Sequence, residues 1–287
     1  MTTGDLLLQL EKELNEAGIS DARFELLEIF SYVLGIEPSA VRLARDVSVS
    51  AENEASIRAF VSRFSGGEPL AYITGRAFFW NEEYKVGPGV LIPRPDTETL
   101  VEKALSVICG REPVIYDLCT GSGCIGISLY NALKARGQSP KMILVDKYNE
   151  ALSYAQDNLS QACDRSDISV LKADILDPSF SFEIAPDYIV SNPPYITAAD
   201  MAQLDASVKD HEPETALYGL REDGLVFYEK LASLASSCLN PGGMILVEHG
   251  YDQALAVQRI FTDSGLRDAA SVKDLGGNDR VTFASKV

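Results

Sequence analysis

The 287 residues suffice for about two domains, and 46% hydrophobic with 23% charged residues is the composition of an ordinary globular protein. A formal net charge of −17 argues against a direct nucleic-acid partner, because phosphate neutralisation by a basic face supplies most of such affinity. No apolar run approaches the roughly 20 residues that cross a bilayer, which argues against a membrane-spanning helix.

The start, Met1-Thr2-Thr3-Gly4-Asp5, lacks the basic residues and cleavage site of a signal peptide. A cytoplasmic protein with no membrane partner is therefore expected, with monomer as the default state. Residues 1–75 read as a small helical-bundle domain. Thr3 is placed to cap a helix whose Leu7, Leu10 and Leu14 share a face, ending near Gly18. Ser20 or Asp21 starts a second helix, with Phe24, Leu27 and Leu34 apolar and Gly35 closing it. Pro38 opens a short third. Ser50 caps a fourth through Ile57, Phe60, Val61 and Phe64 to Gly66-Gly67. Packing explains every apolar position here; a docking role rests on position alone.

Residues 76–90 read as a β-hairpin linker, with Phe78-Phe79-Trp80 and Tyr84-Lys85-Val86 flanking a turn at Asn81-Glu82-Glu83. Pro93 and Pro95 then hold Arg94 extended, and Asp96 or Thr97 caps the next helix through Leu100, Ala104 and Val107. From residue 113 strands and helices alternate, the pattern of a parallel sheet covered on both faces. Strands are expected at 114–118, 142–146, 169–172, 188–191 and 244–248, with a closing pair ending in Arg280-Val281-Thr282-Phe283. Helices are expected at 123–136, 149–159, 224–239 and 254–263. The five cysteines (Cys109, Cys119, Cys124, Cys163 and Cys238) are odd in number and form no Cys-x-x-Cys pair, so free thiols are expected and no metal site.

Three strand ends carry a nucleoside-binding pattern. After the first strand, Asp117-Leu118-Cys119-Thr120-Gly121-Ser122-Gly123 leads into a helix, so backbone can approach a ligand closely. Gly121, Gly123 and Gly126 do not have dinucleotide spacing, and Asp117 is placed to face a ligand's ammonium. Asp146 ends the second strand, where a carboxylate accepts from both ribose hydroxyls; its plainer role is a cap before Asn149. After the third strand, Asp174 suits an exocyclic amine and Ile175 the face of adenine, although Asp-x-x-Asp-Pro is also a common turn.

The fourth strand runs into Ser191-Asn192-Pro193-Pro194-Tyr195. Two prolines remove two backbone donors and leave carbonyl acceptors, to which Asn192 adds a side-chain carbonyl. Such acceptors suit an NH2 group, with Tyr195 lying over a planar substrate. Hydrogen bonds from both N–H groups turn the nitrogen's lone pair toward a sulfonium methyl, so orientation and preorganised electrostatics would drive an in-line displacement. The cofactor expected is S-adenosylmethionine. No Ser-His-Asp or Cys-His set is present, and His211, in a loop expected to border the site, and His249 are read as structural.

Several stretches together resemble the PrmC/HemK protein-(glutamine-N5) methyltransferases, which modify peptide chain release factors. They are 68–75 (Glu-Pro-Leu-Ala-Tyr-Ile-Thr-Gly), 91–98 (Leu-Ile-Pro-Arg-Pro-Asp-Thr-Glu), the glycine turn and Asn192 to Tyr195. Glu212-Pro213 with Ala216-Leu217, Glu248-His249-Gly250 and Asn278 to Thr282 complete the set. The resemblance implies a Rossmann-like α/β domain over 91–287, its seven-stranded sheet ending in an antiparallel strand. It also implies cofactor contacts at Cys119, Thr120, Gly121, Ser122, Gly123, Asp146 and Ile175, and a glutamine held by Asn192, Pro193, Pro194 and Tyr195; Arg94 joins the substrate side. In release factors that glutamine sits in a Gly-Gly-Gln loop. Two positions depart from the family: Cys119 replaces a common glycine, where a small Cys fits if its φ is negative, and Ile175 replaces a frequent aromatic. An adenine-N6 or guanine-N2 methyltransferase fits Asn192 to Tyr195 equally well, but would need base flipping and a phosphate-binding face. A silent cofactor-binding scaffold is the third reading, against which the intact Asn192 and Asp146 count.

Overall fold

The computed structural model describes residues 1–161 and 167–287, so the free thiol expected at Cys163 lies outside the described residues. The chain divides into two compact units, residues 1–76 with 205–211 and residues 77–204 with 212–287.

The first unit holds α1 (Thr3–Glu16), α2 (Arg23–Leu34), α3 (Pro38–Leu43), α4 (Ala51–Ser65) and α5 (Leu70–Thr74). Leu7, Leu10 and Leu14 are buried with Leu27, Phe30 and Ile57, as an amphipathic bundle requires. Ser50 caps α4 by accepting from Asn53 N at 3.1 Å, and Gly35 closes α2 in the left-handed region. Three expectations are corrected. The cap of α1 is Thr2, whose hydroxyl accepts from Asp5 N at 3.2 Å. Neither Ser20 nor Asp21 caps α2, because Asp21 lies in the turn at φ 60°, and Phe24 points outward at 63% exposure.

In the hairpin, β1 (Arg76–Phe79) and β2 (Glu82–Lys85) are joined by Trp80-Asn81, one residue earlier than the expected turn. Phe79 and Tyr84 meet edge to face at 6.2 Å inside the core of the second unit, and the Tyr84 hydroxyl lies 2.7 Å from Ser128 Oγ. From Ala77 on the hairpin therefore belongs to that unit and does not stand apart as a linker.

The rest of the second unit alternates as expected: α6 (Glu98–Val107), β3 (Val114–Leu118), α7 (Cys124–Ala135), β4 (Lys141–Asp146), α8 (Asn149–Gln161), β5 (Ile168–Lys172) and β6 (Tyr188–Ser191). The short α9 (Ala198–Met201) and, within the first unit, α10 (Ala206–Lys209) had no clear sequence signal. Then come α11 (Val226–Cys238), β7 (Met244–Glu248), α12 (Ala254–Asp263), β8 (Arg267–Lys273) and β9 (Asp279–Ser285). Seven strands form one sheet in the order β5-β4-β3-β6-β7-β9-β8, parallel except for β9, which runs antiparallel between β7 and β8. Apolar residues of α6, α7 and α8 cover one face, and those of α11 and α12 the other. Burial on both faces is why β3, β4 and β6 read as continuous apolar runs. Among the described residues, no helix is long and apolar enough to cross a membrane.

Candidate active site

The chain winds outward from β3 to β5, then returns to place β6 on the other side of β3. In open α/β sheets such a reversal opens a crevice at the strands' carboxyl ends. Here a cavity of about 260 Å³ opens there, walled by residues that follow β3, β4, β5 and β6.

The glycine turn forms the first wall. Asp117 is fully buried, and its Oδ2 accepts from Thr120 Oγ1 at 2.6 Å and from Gly126 N at 2.9 Å, tying both ends of the turn to β3. A Cβ at Gly126 would lie 2.2 Å from Leu144 Cδ2 and 3.2 Å from Asp117 Cβ, so only glycine lets α7 approach the sheet this closely. Asp117 does not line the cavity, and its Oδ1 is buried without a hydrogen-bond partner among the described residues. Burial pushes this carboxyl up to about 7, with Thr120 and Gly126 opposing the shift. Cys119, Thr120, Gly121 and Ser122 are on the wall, whereas Gly123 turns toward Ile127 and Leu144. Cys119 stands at φ 61°, so the condition of a negative φ for an easy fit is not met. Burial pushes its thiol up, with the neighbouring Asp146 and Asp117 carboxylates acting in the same direction.

Asp146 holds the second wall. Its Oδ2 accepts from Gly121 N at 2.9 Å and its Oδ1 from Tyr148 N at 3.0 Å, which fixes the carboxylate at the cavity rim. Burial raises it despite these bonds. Asp174 and Ile175 are both on the wall, with Ile175 buried. Asp174 accepts from Leu176 N and Lys147 Nζ, each at 2.9 Å, so it serves as both turn and wall. Tyr148 and Phe227 also line the cavity, and no motif signalled either.

On the fourth side stand Asn192, Pro194 and Arg94. Ser191 Oγ donates to Leu118 O at 2.6 Å and pins the end of β6 to β3. Asn192 Nδ2 donates to Thr97 Oγ1 at 3.3 Å, which leaves its Oδ1 as the acceptor. Thr97 is therefore a site residue; it stands at the N-cap position of α6 without a side-chain capping bond, and the helix is entered through a 3-10 turn at Pro95–Thr97. Arg94 pairs with the buried Glu212, whose Oε2 also accepts from Ile92 N at 3.0 Å.

Pro193 does not line the cavity, and neither does the Tyr195 ring. It packs in the apolar cluster beneath, and its hydroxyl donates to Glu248 Oε1 at 3.3 Å. Gln253 Nε2 caps the Tyr195 carbonyl at 3.1 Å and Asp223 O at 3.2 Å. Gly224 backs onto that carbonyl so closely that a Cβ would come within 2.2 Å of it. Glu248 is buried and pushed up to about 7 by desolvation, opposed by the neighbouring Thr97 hydroxyl and Arg280, and its Oε2 has no hydrogen-bond partner among the described residues. Arg280 pairs with Asp96 at 3.2 Å and with Asp274 at 3.0 Å. His249 is enclosed, its Nε2 2.9 Å from Thr282 Oγ1, and neither it nor His211 lines the cavity.

Fold and cavity define a doubly wound methyltransferase. Residues 96–227 match the methyltransferase small domain family, and residues 5–75 the PrmC N-terminal domain. The hMettl16 catalytic domain, solved in complex with MAT2A 3′UTR hairpin 6, has a similar fold. Its TM-score is 0.56 at 17% identity, over 71% of this chain and 75% of that one. The chain is 37% identical to the release factor glutamine methyltransferase of Thermodesulfovibrio yellowstonii over 265 residues, covering 91% of this chain and 92% of that protein. It is 33% identical to that of Clostridium botulinum over 287 residues, the full length of both. The chain belongs to the release factor glutamine methyltransferase family.

Proposed function

We propose that the chain transfers the methyl group of S-adenosylmethionine to the side-chain amide nitrogen N5 of the glutamine in the Gly-Gly-Gln loop of class 1 peptide chain release factors. Membership of the family supports the substrate. The observation that carries the chemistry is Asn192, an amide on the cavity wall whose NH2 is committed to Thr97 and whose carbonyl oxygen is left to accept.

The cavity fits the cofactor. Asp146 offers carboxylate lone pairs at the rim, Ile175 an apolar face, and Asp174 an acceptor beside it. Beneath the glycine turn, Asp117 Oδ1 is buried without a hydrogen-bond partner among the described residues, and a bound cation there would favour its charged form. When bound, S-adenosylmethionine supplies an electrophilic methyl on a positively charged sulfur. The chain's own residues then do the rest. Asn192 Oδ1 and a main-chain carbonyl of Asn192 or Pro194 accept the two N–H groups of the glutamine amide and hold its nitrogen in line. Pro194 fixes the backbone, and Arg94, anchored by Glu212, borders the entry. Pro193 and Tyr195 serve by shaping the loop from behind. No strong base is needed, because the nitrogen's proton becomes acidic once the methyl is attached.

Asn192→Ala tests this reading. The kcat for release factor methylation is expected to fall by about 10²–10³, the usual effect of losing one preorganised hydrogen-bonding group. S-adenosylmethionine affinity by calorimetry should stay within about threefold, since Asn192 grips the other reactant. Undiminished turnover would refute its role.

A further inference from the structure

Between β6 and α11 the chain makes a long excursion, and its return supplies Glu214, Thr215, Ala216, Tyr218 and Leu220 to the cavity wall. The outgoing and returning stretches meet just after Asn192 to Tyr195. There Ile196 N donates to Leu217 O at 2.8 Å, and Gly219 N to Ile196 O at 3.0 Å. These bonds leave the carbonyls of Tyr195, where the chain departs, and Asp223, where it comes back, to be satisfied elsewhere. Two carbonyls cannot bond each other, so a donor must reach both.

Gln253 is that donor. Its Nε2 donates to Tyr195 O at 3.1 Å and to Asp223 O at 3.2 Å, and its Oε1 accepts from Gly250 N at 3.0 Å. An amide carries two N–H donors, and both are used here. A flipped amide would set Nε2 against an N–H and Oε1 against two carbonyls, so the three bonds fix its orientation. Gln253 is 8% exposed and sits at the start of α12, away from the cavity wall. It therefore acts on the site only through what it holds.

What it holds is the acceptor loop. Proline rings fix φ at residues 193 and 194, so much of the loop's remaining freedom lies at Tyr195. Holding the Tyr195 carbonyl fixes the plane of the peptide that follows, where the neck of the excursion begins. Asp146 and Asp174 follow β4 and β5, on the other side of β3 from this loop.

We infer that Gln253 is a positioning residue for the methyl acceptor: its amide staples Tyr195 to Asp223 and so keeps Asn192 and Pro194 in register with the returning wall from Thr215 to Leu220. The link to catalysis rests on the function proposed above, whereas the staple is a property of this chain alone.

The test compares the full chain with Gln253→Glu, which keeps the length and the acceptor for Gly250 N but lacks the NH2. Hydrogen exchange read by mass spectrometry is expected to quicken by about 10-fold or more in peptides covering 195–200 and 214–225, while β3 and β4 keep their protection. The kcat for release factor methylation is expected to fall by about 10- to 100-fold, with S-adenosylhomocysteine affinity by calorimetry within about threefold. Unchanged exchange in those two peptides overturns the inference, as does a wild-type kcat. Faster exchange spread evenly over the unit also overturns it, because that is the mark of a residue that only stabilises the fold. Should Gln253→Glu not fold, Gln253→Met carries the same predictions on a neutral side chain of similar length. Wild-type protein that leaves the release-factor glutamine unmethylated would refute the substrate, while the exchange pattern still decides the staple.

Discussion

At the scale of single residues, Cys119 is where chemistry and backbone disagree most openly. A non-glycine residue at φ 61° carries a steric cost of about 1–2 kcal/mol that glycine would not. Glycine in turn loses about 0.5–1 kcal/mol through its freer unfolded chain. Cys119→Gly is therefore expected to raise stability slightly, by less than about 1 kcal/mol in denaturant unfolding, and Cys119→Val to lower it by more than about 1 kcal/mol. A destabilised Cys119→Gly would mean that the thiol's packing outweighs the strain. The residue-scale lesson concerns Thr97 and Tyr195. Both were visible in motifs, but sequence offers a threonine before a helix only as a cap, and a tyrosine after two prolines only as a lid. The partners that redirect them, Glu248 for Tyr195 and Asn192 for Thr97, lie 53 and 95 residues away along the chain. No local pattern encodes such pairings.

At the scale of elements, the strand-turn-helix from β3 through α7 depends on close approach. Gly126→Ala would place a methyl against the buried Leu144 and is expected to cost about 1–3 kcal/mol, as overpacking generally does; an unchanged unfolding midpoint would contradict the packing described. The same element carries a pH signature. Asp117 titrates at about 7 in the folded chain and near the ordinary carboxyl value of about 4 when unfolded, so the folded state binds the extra proton. Its contribution is full below about pH 4 and lost as pH rises through about 7. In the absence of cofactor, Asp117→Asn should therefore gain in thermal midpoint relative to the parent between about pH 5 and pH 8. A gap that narrows over that interval would show that the buried carboxyl is not the strained group. Strands and helices of this unit were legible because two-sided burial writes unbroken apolar runs. The first unit was legible from its helix faces, apart from the caps of α1 and α2 and the outward Phe24. The helices α9 and α10 were not, since four-residue helices have too few turns to show a period.

At the scale of the whole molecule, the winding order puts four strand ends around one cavity, and every wall residue belongs to a single compact unit. Most of the candidate site could be read in advance because each wall is a short motif at a strand end: Cys119 to Ser122, Asp146, Asp174-Ile175 and Asn192. Tyr148 and Phe227 could not, because aromatics at helix starts read as core. Choosing a glutamine over a base amine required the wider family resemblance, since Asn192 to Pro194 fit either. The net charge of −17 points the same way. The most direct measurement is a competition: the purified chain with isotope-labelled S-adenosylmethionine, an unmethylated release factor and a nucleic-acid pool in one reaction. The account predicts one methyl on the loop glutamine by peptide mass spectrometry and no label in nucleic acid. Label in the nucleic acid with the glutamine unmodified would contradict it.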